Sequence, residues 1–478
     1  MEKEKRSSFS GSLGFVLAAA GSAVGLGNLW RFPTLAAKNG GGLFLLVYII
    51  LSLTFGFTLL ATEIAIGRKT GKSPLLAYRA LDRRFSFLGV IASVIPALIF
   101  PYYCAIGGWV TKYAATYITG GASNIEAAGA EEYFFGFIAD FPAPMIWFFV
   151  FMAITAAVVL LGVEKGIEKA SKIMMPALVL IILGISVYSL TLSYTDESGV
   201  TRTAWEGLLI YIVPSLEGMT PGSFATLLLD AVGQMFFSMS IAMGIMITYG
   251  SYCKKDQNLV KAVNHIELFD TGVAILAGLV VVPSVFVFQG IKGLEAAGPS
   301  LMFISLPEVF SEMGFVGNIV GALFFVLVFV AALTSSISLL ETVASSLIDA
   351  FGLKRPVATA IAFAFSLAVG IFICLGYNVF YAEIPLPNGE TGQLLDLFDY
   401  IASSLMLPLV ALITAVFVGW ILKPKSLTDE IEAGLDGTVF RRKGLYAVMI
   451  KYIAPVLLFL LILQAFNVFS FLGIVNCQ

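Results

Sequence analysis

The run GSAVGLGNLWRFP at residues 21–33 is largely apolar, yet it does not suit a continuous helix. Three glycines stand within its first seven residues, and Pro33 follows Asn28 and Arg31. Relative to alanine, glycine costs about 1 kcal/mol and proline about 3 kcal/mol in a helix interior. We therefore expect the chain to break its helix near the middle of this run.

The sequence around this run is that of a membrane protein. Apolar residues make up 59% of the 478 and charged residues only 12%, whereas roughly a quarter of the residues in soluble domains are charged. Runs such as 173–192 and 315–333 are long enough to cross the bilayer core, for which about 20 residues suffice. The net charge of −3 indicates no nucleic-acid partner.

The apolar runs, with the Gly, Pro and charge clusters between them, predict an all-α integral membrane protein with eleven membrane-spanning helices. We number these helices as spans 1 to 11. Their expected limits are 12–37, 42–68, 88–117, 144–163, 166–190, 222–252, 259–287, 314–349, 356–376, 393–422 and 444–474.

Lysine and arginine predict the orientation of these spans. They cluster at the N-terminus and in the loops after even-numbered spans, whereas 118–143 and 377–392 contain acids but no base. Because cytoplasmic loops carry an excess of Lys and Arg, we expect a cytoplasmic N-terminus in the cell (inner) membrane. An odd number of spans then leaves the C-terminus outside the cell.

Span 6 contains a second interrupted run, AVGQMFFSMSIAMGIMITYGSY at 231–252, with Ser238, Ser240 and Gly244 among apolar residues. Spans 1 and 6 lie five apart, as do the first members of the two halves of an inverted 5+5 repeat. The halves share no visible sequence identity, so this repeat is inferred from spacing alone. We expect a single domain, 1–478, made of an N-terminus 1–11, repeats 12–190 and 222–422, and helix 11 at 444–474.

A helix broken inside the bilayer exposes backbone groups that lipid cannot satisfy, so it persists where it lines a cavity or binds a ligand. Helix N-terminal ends attract carboxylates and C-terminal ends attract cations. Two such breaks would suit a zwitterion together with sodium. The alternative explanation is that the small residues let helices pack closely.

Four charged residues within or at the ends of spans favour the interpretation of the two breaks as a binding site over close helix packing. An ionisable group in a membrane span is by default a functional candidate, although a structural ion pair is the alternative for each of them. These residues are Arg31, Glu63, Asp270 and Asp399.

Three stretches resemble the neurotransmitter:sodium symporter family. The run 21–33, with NGGG at 39–42, is similar to its first-helix signature, and 231–252 is similar to its unwound sixth helix. AALTSSISLLE at 331–341 resembles its eighth helix. Eleven spans instead of twelve resemble several bacterial members, particularly transporters of the tyrosine and hydrophobic-amino-acid type. The resemblance implies the leucine-transporter fold with discontinuous helices 1 and 6.

The resemblance also implies two sodium sites built from oxygen ligands, which a hard cation prefers. The first would use Gly21, Val24, Ala331, Thr334 and Ser335. The second, touching the substrate carboxylate, would use Ala23, Asn28, Ser238 and Asp270. For the hydroxyl groups, the alternative is back-bonding to a carbonyl one turn earlier in the same helix.

The substrate site follows from the same resemblance. The Leu26 and Gly27 amides and the Tyr103 hydroxyl would hold a carboxylate. Gly25 stands where monoamine-carrying members have Asp, which favours a substrate with its own carboxylate. The methyl of Ala242 would narrow the pocket towards alanine, valine or methionine, which Met243 could offset. The expected substrate residues are Ala23, Leu26, Gly27, Ile99, Tyr103, Phe237, Ser238, Ser240, Ala242, Met243 and Leu339.

The resemblance also bears on chloride dependence and on the gates of the transport pathway. Asp270 stands where chloride-dependent members have Asn, so we expect chloride independence. The resemblance places an outer gate at Arg31 and Asp399. It places an inner gate at Arg6 and Asp349, with Tyr252 and Phe9 nearby. Gly166 and Pro176 in span 5 match a pattern at which the family's helix unwinds, although an ordinary kink is the alternative.

These features together favour a sodium-coupled symporter that imports a neutral, hydrophobic L-amino acid by alternating access. A channel is the nearest rival, because broken helices also line pores, and a non-transporting sensor of this fold is a second. An enzyme is not expected, since no HExxH, GxSxG or paired-Asp motif occurs in the spans. The preferred amino acid, the sodium stoichiometry, any proton counter-transport and the oligomeric state stay open.

Overall fold

The computed structural model describes residues 8–196, 198–435 and 439–471. Within these residues, nine helices are long and apolar enough to cross a membrane. They form spans 2–5 and 7–11. Their bounds are Gly42–Thr70, Arg83–Ile118, Ala143–Leu160, Val163–Ser189, Leu259–Gly293, Gly314–Phe351, Arg355–Leu375, Leu394–Leu422 and Lys443–Ala465.

Span 1 consists of two helices, Ser12–Ala23 and Gly27–Lys38, whose axes differ by 53°. The break begins at Val24, whose backbone is extended with φ −72° and ψ 104°. The second helix opens with a π-helical turn, Gly27–Arg31, and continues as Phe32–Lys38. The predicted break of span 1 is therefore present.

The interruption of span 6 is longer than that of span 1 and lies between helices Pro221–Ser238 and Ile245–Gly250. Ser240, Ala242 and Gly244 all have positive φ, at 53°, 64° and 72°. Left-handed backbone is costly for residues other than glycine, so surrounding structure must hold it. Part of that support comes from Glu63 of span 2, whose Oε1 accepts a 2.6 Å hydrogen bond from the Ala242 amide.

The predicted fold class is confirmed, and the spans occur in the expected order. The two broken spans stand five apart, as the inverted repeat requires. The predicted limits differ most at three spans: span 3 already begins at Arg83, and span 7 continues to Gly293. In span 11 the long helix ends at Ala465, and a short separate helix, Val468–Phe471, follows. In span 5, a π-helical turn, Val163–Glu168, contains Gly166, and the helix Lys169–Ser189 continues through Pro176.

Short elements connect the spans. Two antiparallel strand pairs lie in loops, and the sequence did not indicate them: β1 (Ser193–Thr195) with β2 (Thr201–Thr203), and β3 (Ile384–Pro385) with β4 (Thr391–Gly392). The connecting helices are Pro74–Leu81, Ala122–Ala128, Ala130–Ala139, Ala204–Ile212, Gly298–Ser300, Leu301–Ser305, Leu306–Glu312 and Lys425–Glu432.

Span 8 carries four polar residues into the apolar interior, and all four are buried: Thr334, Ser335, Ser336 and Ser338. It packs against span 3, span 5 and the first half of span 1. Span 7 packs against both halves of span 1. The break in span 1 is therefore held between spans 7 and 8.

Candidate functional site

A cavity lies where the two broken spans face each other. It is small, about 20 Å³, which is roughly enough for one water molecule. All the predicted substrate residues except Ala242 line it. The full lining is Ser22, Ala23, Gly25, Leu26, Gly27, Asn28, Ile99, Tyr103, Phe237, Ser238, Ser240, Met243, Ile245, Ser335 and Leu339.

One end of the cavity is polar. The second helix of span 1 starts there, so its first amides and the positive end of its dipole face the cavity. The Tyr103 hydroxyl is buried and makes no hydrogen bond within the described part of the chain. A Cβ on Gly25 would lie 3.2 Å from that hydroxyl and 2.9 Å from Ser335 Oγ, so the absence of a side chain keeps this end free.

The other end of the cavity is apolar. Ile99, Met243 and Leu339 line it together with Ile245, which sequence reasoning missed. Phe237 covers Gly27 so closely that a Cβ there would lie 2.5 Å from the ring. Ala242 lies outside this lining, because the left-handed turn directs its amide to Glu63.

Three of the residues predicted for one sodium site form a connected polar cluster. Asp270 Oδ1 accepts hydrogen bonds from Ser238 Oγ at 2.6 Å and from Asn28 Nδ2 at 2.8 Å. Tyr48, which the sequence did not indicate, donates to Asp270 Oδ2 at 3.4 Å. Asn28, Asp270 and Tyr48 are fully buried. The cluster thus joins span 1 to spans 2, 6 and 7 around one carboxylate.

The residues predicted for the other sodium site meet between spans 1 and 8. Ser335 Oγ donates to the carbonyl oxygens of Ser22 at 3.1 Å and Val24 at 3.3 Å. A Cβ on Gly21 would lie 3.2 Å from Thr334 Cβ. Thr334 Oγ1 bonds within its own helix, at 3.0 Å from the Ala331 oxygen and 3.1 Å from the Val330 oxygen. Back-bonding, the alternative for these hydroxyls, is thus seen at Thr334, whereas Ser335 reaches across to span 1.

The predicted outer gate is not closed by an ion pair. Within the described residues, no salt bridge joins Arg31 to Asp399, whose Oδ1 accepts from Tyr102 and Ser403, both at 2.8 Å. The Arg31 guanidinium instead lies over span 6, where a Cβ on Gly233 would be 3.8 Å from Nη2. It is there in electrostatic range of Asp230. The role of Arg31 and Asp399 as a gate stays a prediction.

Contacts of Phe9 close the site on the side that lies towards the N-terminus of the chain, which we call the N-terminal side. The Phe9 ring packs edge-on against Tyr249 and Tyr252, and the Phe9 amide donates to the Tyr252 oxygen at 3.4 Å. Arg6 lies outside the described residues, so its pairing with Asp349 stays a prediction. Asp349 itself accepts a 2.7 Å hydrogen bond from the Ser73 amide.

Sequence reasoning missed the ion pair beside these rings. Glu341 of span 8 is fully buried, and its Oε2 lies 2.5 Å from Arg355 Nη1 at the start of span 9. Its Oε1 accepts from the Tyr252 hydroxyl at 2.6 Å. An acid inside the apolar run of span 8 was the available signal, since a buried carboxylate needs a partner.

This geometry agrees with the comparisons with known proteins. The family model described as the sodium:neurotransmitter symporter family matches residues 6–123 and 138–476. The chain belongs to this family. The predicted resemblance is therefore confirmed, and the chain is a sodium-dependent symporter, a multi-pass membrane protein that carries a small molecule with sodium. The symporter family consists of transporters rather than enzymes.

Individual symporters extend the comparison. An uncharacterized sodium-dependent transporter of Bacillus subtilis, YhdH, is 33% identical over 478 residues, covering 98% of this chain and all of the relative. A sodium- and chloride-dependent taurine transporter of Rattus norvegicus is 25% identical, covering 90% of this chain and 73% of its own. The crystal structure of MhsT in complex with L-phenylalanine superimposes with a TM-score of 0.83 at 34% identity, covering 97% of this chain and 100% of MhsT.

Proposed function

We propose that this symporter imports a neutral, hydrophobic L-amino acid with two sodium ions by alternating access. The observation that carries the proposal is the cavity itself. Its lining, as far as the structure describes the chain, contains helix-end amides and hydroxyls at one end and apolar side chains at the other, with no charged side chain. A zwitterionic backbone fits the first end, and a charged side chain would be buried unpaired at the second.

The polar end accounts for selection of an amino acid. The amides of Leu26 and Gly27 and the free Tyr103 hydroxyl supply donors for a carboxylate. Carbonyl groups of Ala23, Phe237 and Ser238, at the C-terminal ends of their helices, supply acceptors for an ammonium group together with the Ser240 hydroxyl. Because Gly25 contributes no carboxylate, a monoamine would leave these donors unsatisfied, which is costly in a buried site.

The apolar end favours a large neutral side chain. Met243, Phe237 and Leu339 line the cavity and Ala242 does not, which supports room for a large side chain. The cavity volume of about 20 Å³ is too small for any amino acid, so these side chains must move. Methionine changes rotamer at low cost. The phenylalanine bound to MhsT, which is similar to this chain, supports the same class of substrate.

Sodium couples to substrate through shared ligands. One ion is proposed between Asn28, Ser238 and Asp270, where the substrate carboxylate would complete its coordination. The second is proposed between Val24, Thr334 and Ser335. Both sites use the carbonyls freed by the break in span 1, so ion binding and the shape of the break depend on each other. Import is driven by the sodium gradient and by about 2.3 kcal/mol per charge per 100 mV of membrane potential.

Chloride independence is part of the proposal. Asp270 is fully buried and bonded to Asn28 and Ser238, so a fixed negative charge already stands at the sodium ligands. A protein with a neutral residue there would need another negative charge, either an anion from solution or a fixed carboxylate nearby, to offset the charge of the ion. The inferred independence applies to this chain and not to the chloride-dependent relatives.

Replacing Ser335 by alanine is expected to lower sodium affinity about tenfold, roughly 1.4 kcal/mol, while leaving the maximal level of substrate binding nearly unchanged. The hydroxyl bridges to the Val24 and Ser22 carbonyls, and its loss removes one oxygen ligand. The measurement is substrate binding against sodium concentration. Ser346→Ala, farther along the same helix, is the matched control, and an equal shift in both variants would contradict the assignment.

The proposed function is tested by scintillation-proximity binding of a panel of radiolabelled amino acids to the purified protein, with sodium or with potassium. We expect saturable, sodium-dependent binding of neutral hydrophobic amino acids, and none of lysine or glutamate. Reconstituted vesicles separate the symporter from a channel. Uptake that follows an imposed sodium gradient supports the symporter, whereas large currents without substrate would reject it.

A further inference from the structure

Spans 10 and 11 meet at a cationic aromatic cluster on the surface of the membrane domain. Lys451 Nζ lies 4.7 Å from the centre of the Trp420 ring and 5.3 Å from that of Tyr452. The two rings pack edge-on with their centres 5.7 Å apart. Trp420 is 54% exposed and Tyr452 51% exposed. Because these residues belong to membrane spans, that exposed surface faces lipid.

The cluster is built by the backbones of both spans. Each span has a π-helical segment here, Phe417–Leu422 and Met449–Ile453, and π-helical turns recur at functional sites. Gly419 allows the close approach, since a Cβ there would lie 3.0 Å from Lys451 Cα. Trp420 Nε1 donates to the Lys451 carbonyl oxygen at 3.0 Å. The indole is thus fixed in place beside the ammonium group.

Among the described residues, the Lys451 ammonium group has no anionic partner. Other lysines near this end of the spans form ion pairs, Lys255 with Glu430 at 2.8 Å and Lys443 with Glu432 at 2.9 Å. In the part of the chain that the structure describes, Lys451 makes neither a salt bridge nor a side-chain hydrogen bond, and the rings are its partners. An ammonium group carries three donors and no acceptor, so an oxygen anion is the chemistry that completes the cluster.

The position of the cluster indicates where that anion comes from. Trp420 lies two residues before the end of span 10 at Leu422, and Lys451 lies eight residues after the start of span 11 at Lys443. At 1.5 Å per residue, Lys451 is about 12 Å along span 11, within reach of the headgroup region for a long side chain. Both ends belong to the face rich in lysine and arginine, where Lys423, Lys425 and Arg441 are exposed.

We propose that Trp420, Lys451 and Tyr452 form a binding site for the phosphate of an anionic phospholipid in the leaflet on this face. The phosphate oxygen accepts from Lys451, and the rings lie at the level of the headgroup, where Trp and Tyr are enriched. The acyl chains run along Val416 and Val456, one turn deeper and 38% and 59% exposed. A choline headgroup would bring its own cation close to Lys451, so phosphatidylglycerol is favoured over phosphatidylcholine.

The test is native mass spectrometry of the full-length protein purified with mixed palmitoyl-oleoyl phosphatidylglycerol and phosphatidylcholine. We expect the wild-type protein to retain phosphatidylglycerol preferentially, and Lys451→Gln to retain at least fivefold less. Lys451→Arg keeps the charge and is expected to retain it. Lys425→Gln removes an exposed charge of the same face and serves as the matched control. Inorganic phosphate at equal concentration is expected not to displace the lipid.

Equal retention of the two lipids by the wild-type protein, or unchanged retention by Lys451→Gln, would overturn the proposal. If Lys451→Gln does not fold, fluorescence provides a second measurement on the native cluster. Brominated phosphatidylglycerol should quench Trp420 more than brominated phosphatidylcholine does, taken as the difference between the wild type and Trp420→Phe. Equal quenching would also reject the site. Neither assay needs sodium or an amino acid, so the result is independent of the proposed function.

Discussion

Replacing Asp270 by asparagine is expected to reduce the sodium affinity of substrate binding by 100-fold or more. The carboxylate is fully buried, and its Oδ1 holds Asn28 and Ser238 in place at 2.8 and 2.6 Å. Asparagine keeps the size of the side chain but removes the negative charge that opposes sodium in a site of low dielectric constant. The measurement is sodium-dependent binding of a radiolabelled substrate identified in the amino-acid panel.

The neighbouring residue provides the control. Thr271 donates to or accepts from Ser52 at 3.1 Å and lies outside the Asp270 cluster, so Thr271→Val should change sodium affinity less than threefold. The same experiment tests the role of chloride. Replacing chloride by gluconate should leave the wild type unchanged, while added chloride should partly restore Asp270→Asn. Loss of wild-type binding in gluconate would refute chloride independence.

The second large effect is expected at the buried ion pair between spans 8 and 9. Arg355→Gln leaves Glu341 buried with Tyr252 as its remaining side-chain hydrogen-bond partner among the described residues. An uncompensated buried charge costs about 3–5 kcal/mol. We therefore expect a clear loss of thermal stability and an opening of the N-terminal side, because the Tyr252 contact that packs against Phe9 depends on Glu341.

Labelling of Cys253 measures this opening. Cys253 is half-buried, directly follows Tyr252 and has a free thiol, so its labelling by N-ethylmaleimide should rise several-fold in Arg355→Gln. Cys104 and Cys374 are buried free thiols. The labelling experiment uses variants that all carry Cys477→Ser, so that Cys477 cannot contribute to the signal. Arg84→Gln removes an exposed ion pair with Asp82 and should change neither stability nor labelling. Unchanged labelling in Arg355→Gln would show that this pair does not close the N-terminal side.

The double variant Glu341→Gln with Arg355→Gln distinguishes charge from packing. Removing both charges avoids the unpaired carboxylate, so the double variant should be more stable than Arg355→Gln alone. If opening follows from the lost ion pair itself, Cys253 labelling should stay high in the double variant while stability recovers. The two measurements therefore separate the cost of a buried charge from the closure of the N-terminal side.

Features that depend on local sequence were predictable. The apolar runs predicted the order of the spans, because membrane insertion depends on the composition of each segment. Glycine and proline located the break in span 1, and small polar residues located that in span 6. The motifs at 21–33, 231–252 and 331–341 indicated the family. The structure brings all the predicted substrate residues except Ala242 to one cavity.

Features that depend on how helices rotate and approach each other were not predictable. Asp399 accepts hydrogen bonds from Tyr102 and Ser403 and forms no salt bridge with Arg31 among the described residues, and the Ala242 amide donates to Glu63. Tyr48 joins Asp270 from a distant span. Each of these contacts is set by side-chain directions across separate helices, about which the sequence of one helix carries no information.

The amino-acid sequence by itself determined that the chain crosses the membrane many times, where two of its helices break and to which family of sodium symporters it belongs. These properties follow from hydropathy and backbone preference, which act over a few residues. Only the tertiary structure decided which buried carboxylate meets which donor, and that Lys451 lies beside two exposed aromatic rings. Such pairs join residues far apart in the chain, and packing of whole helices brings them together.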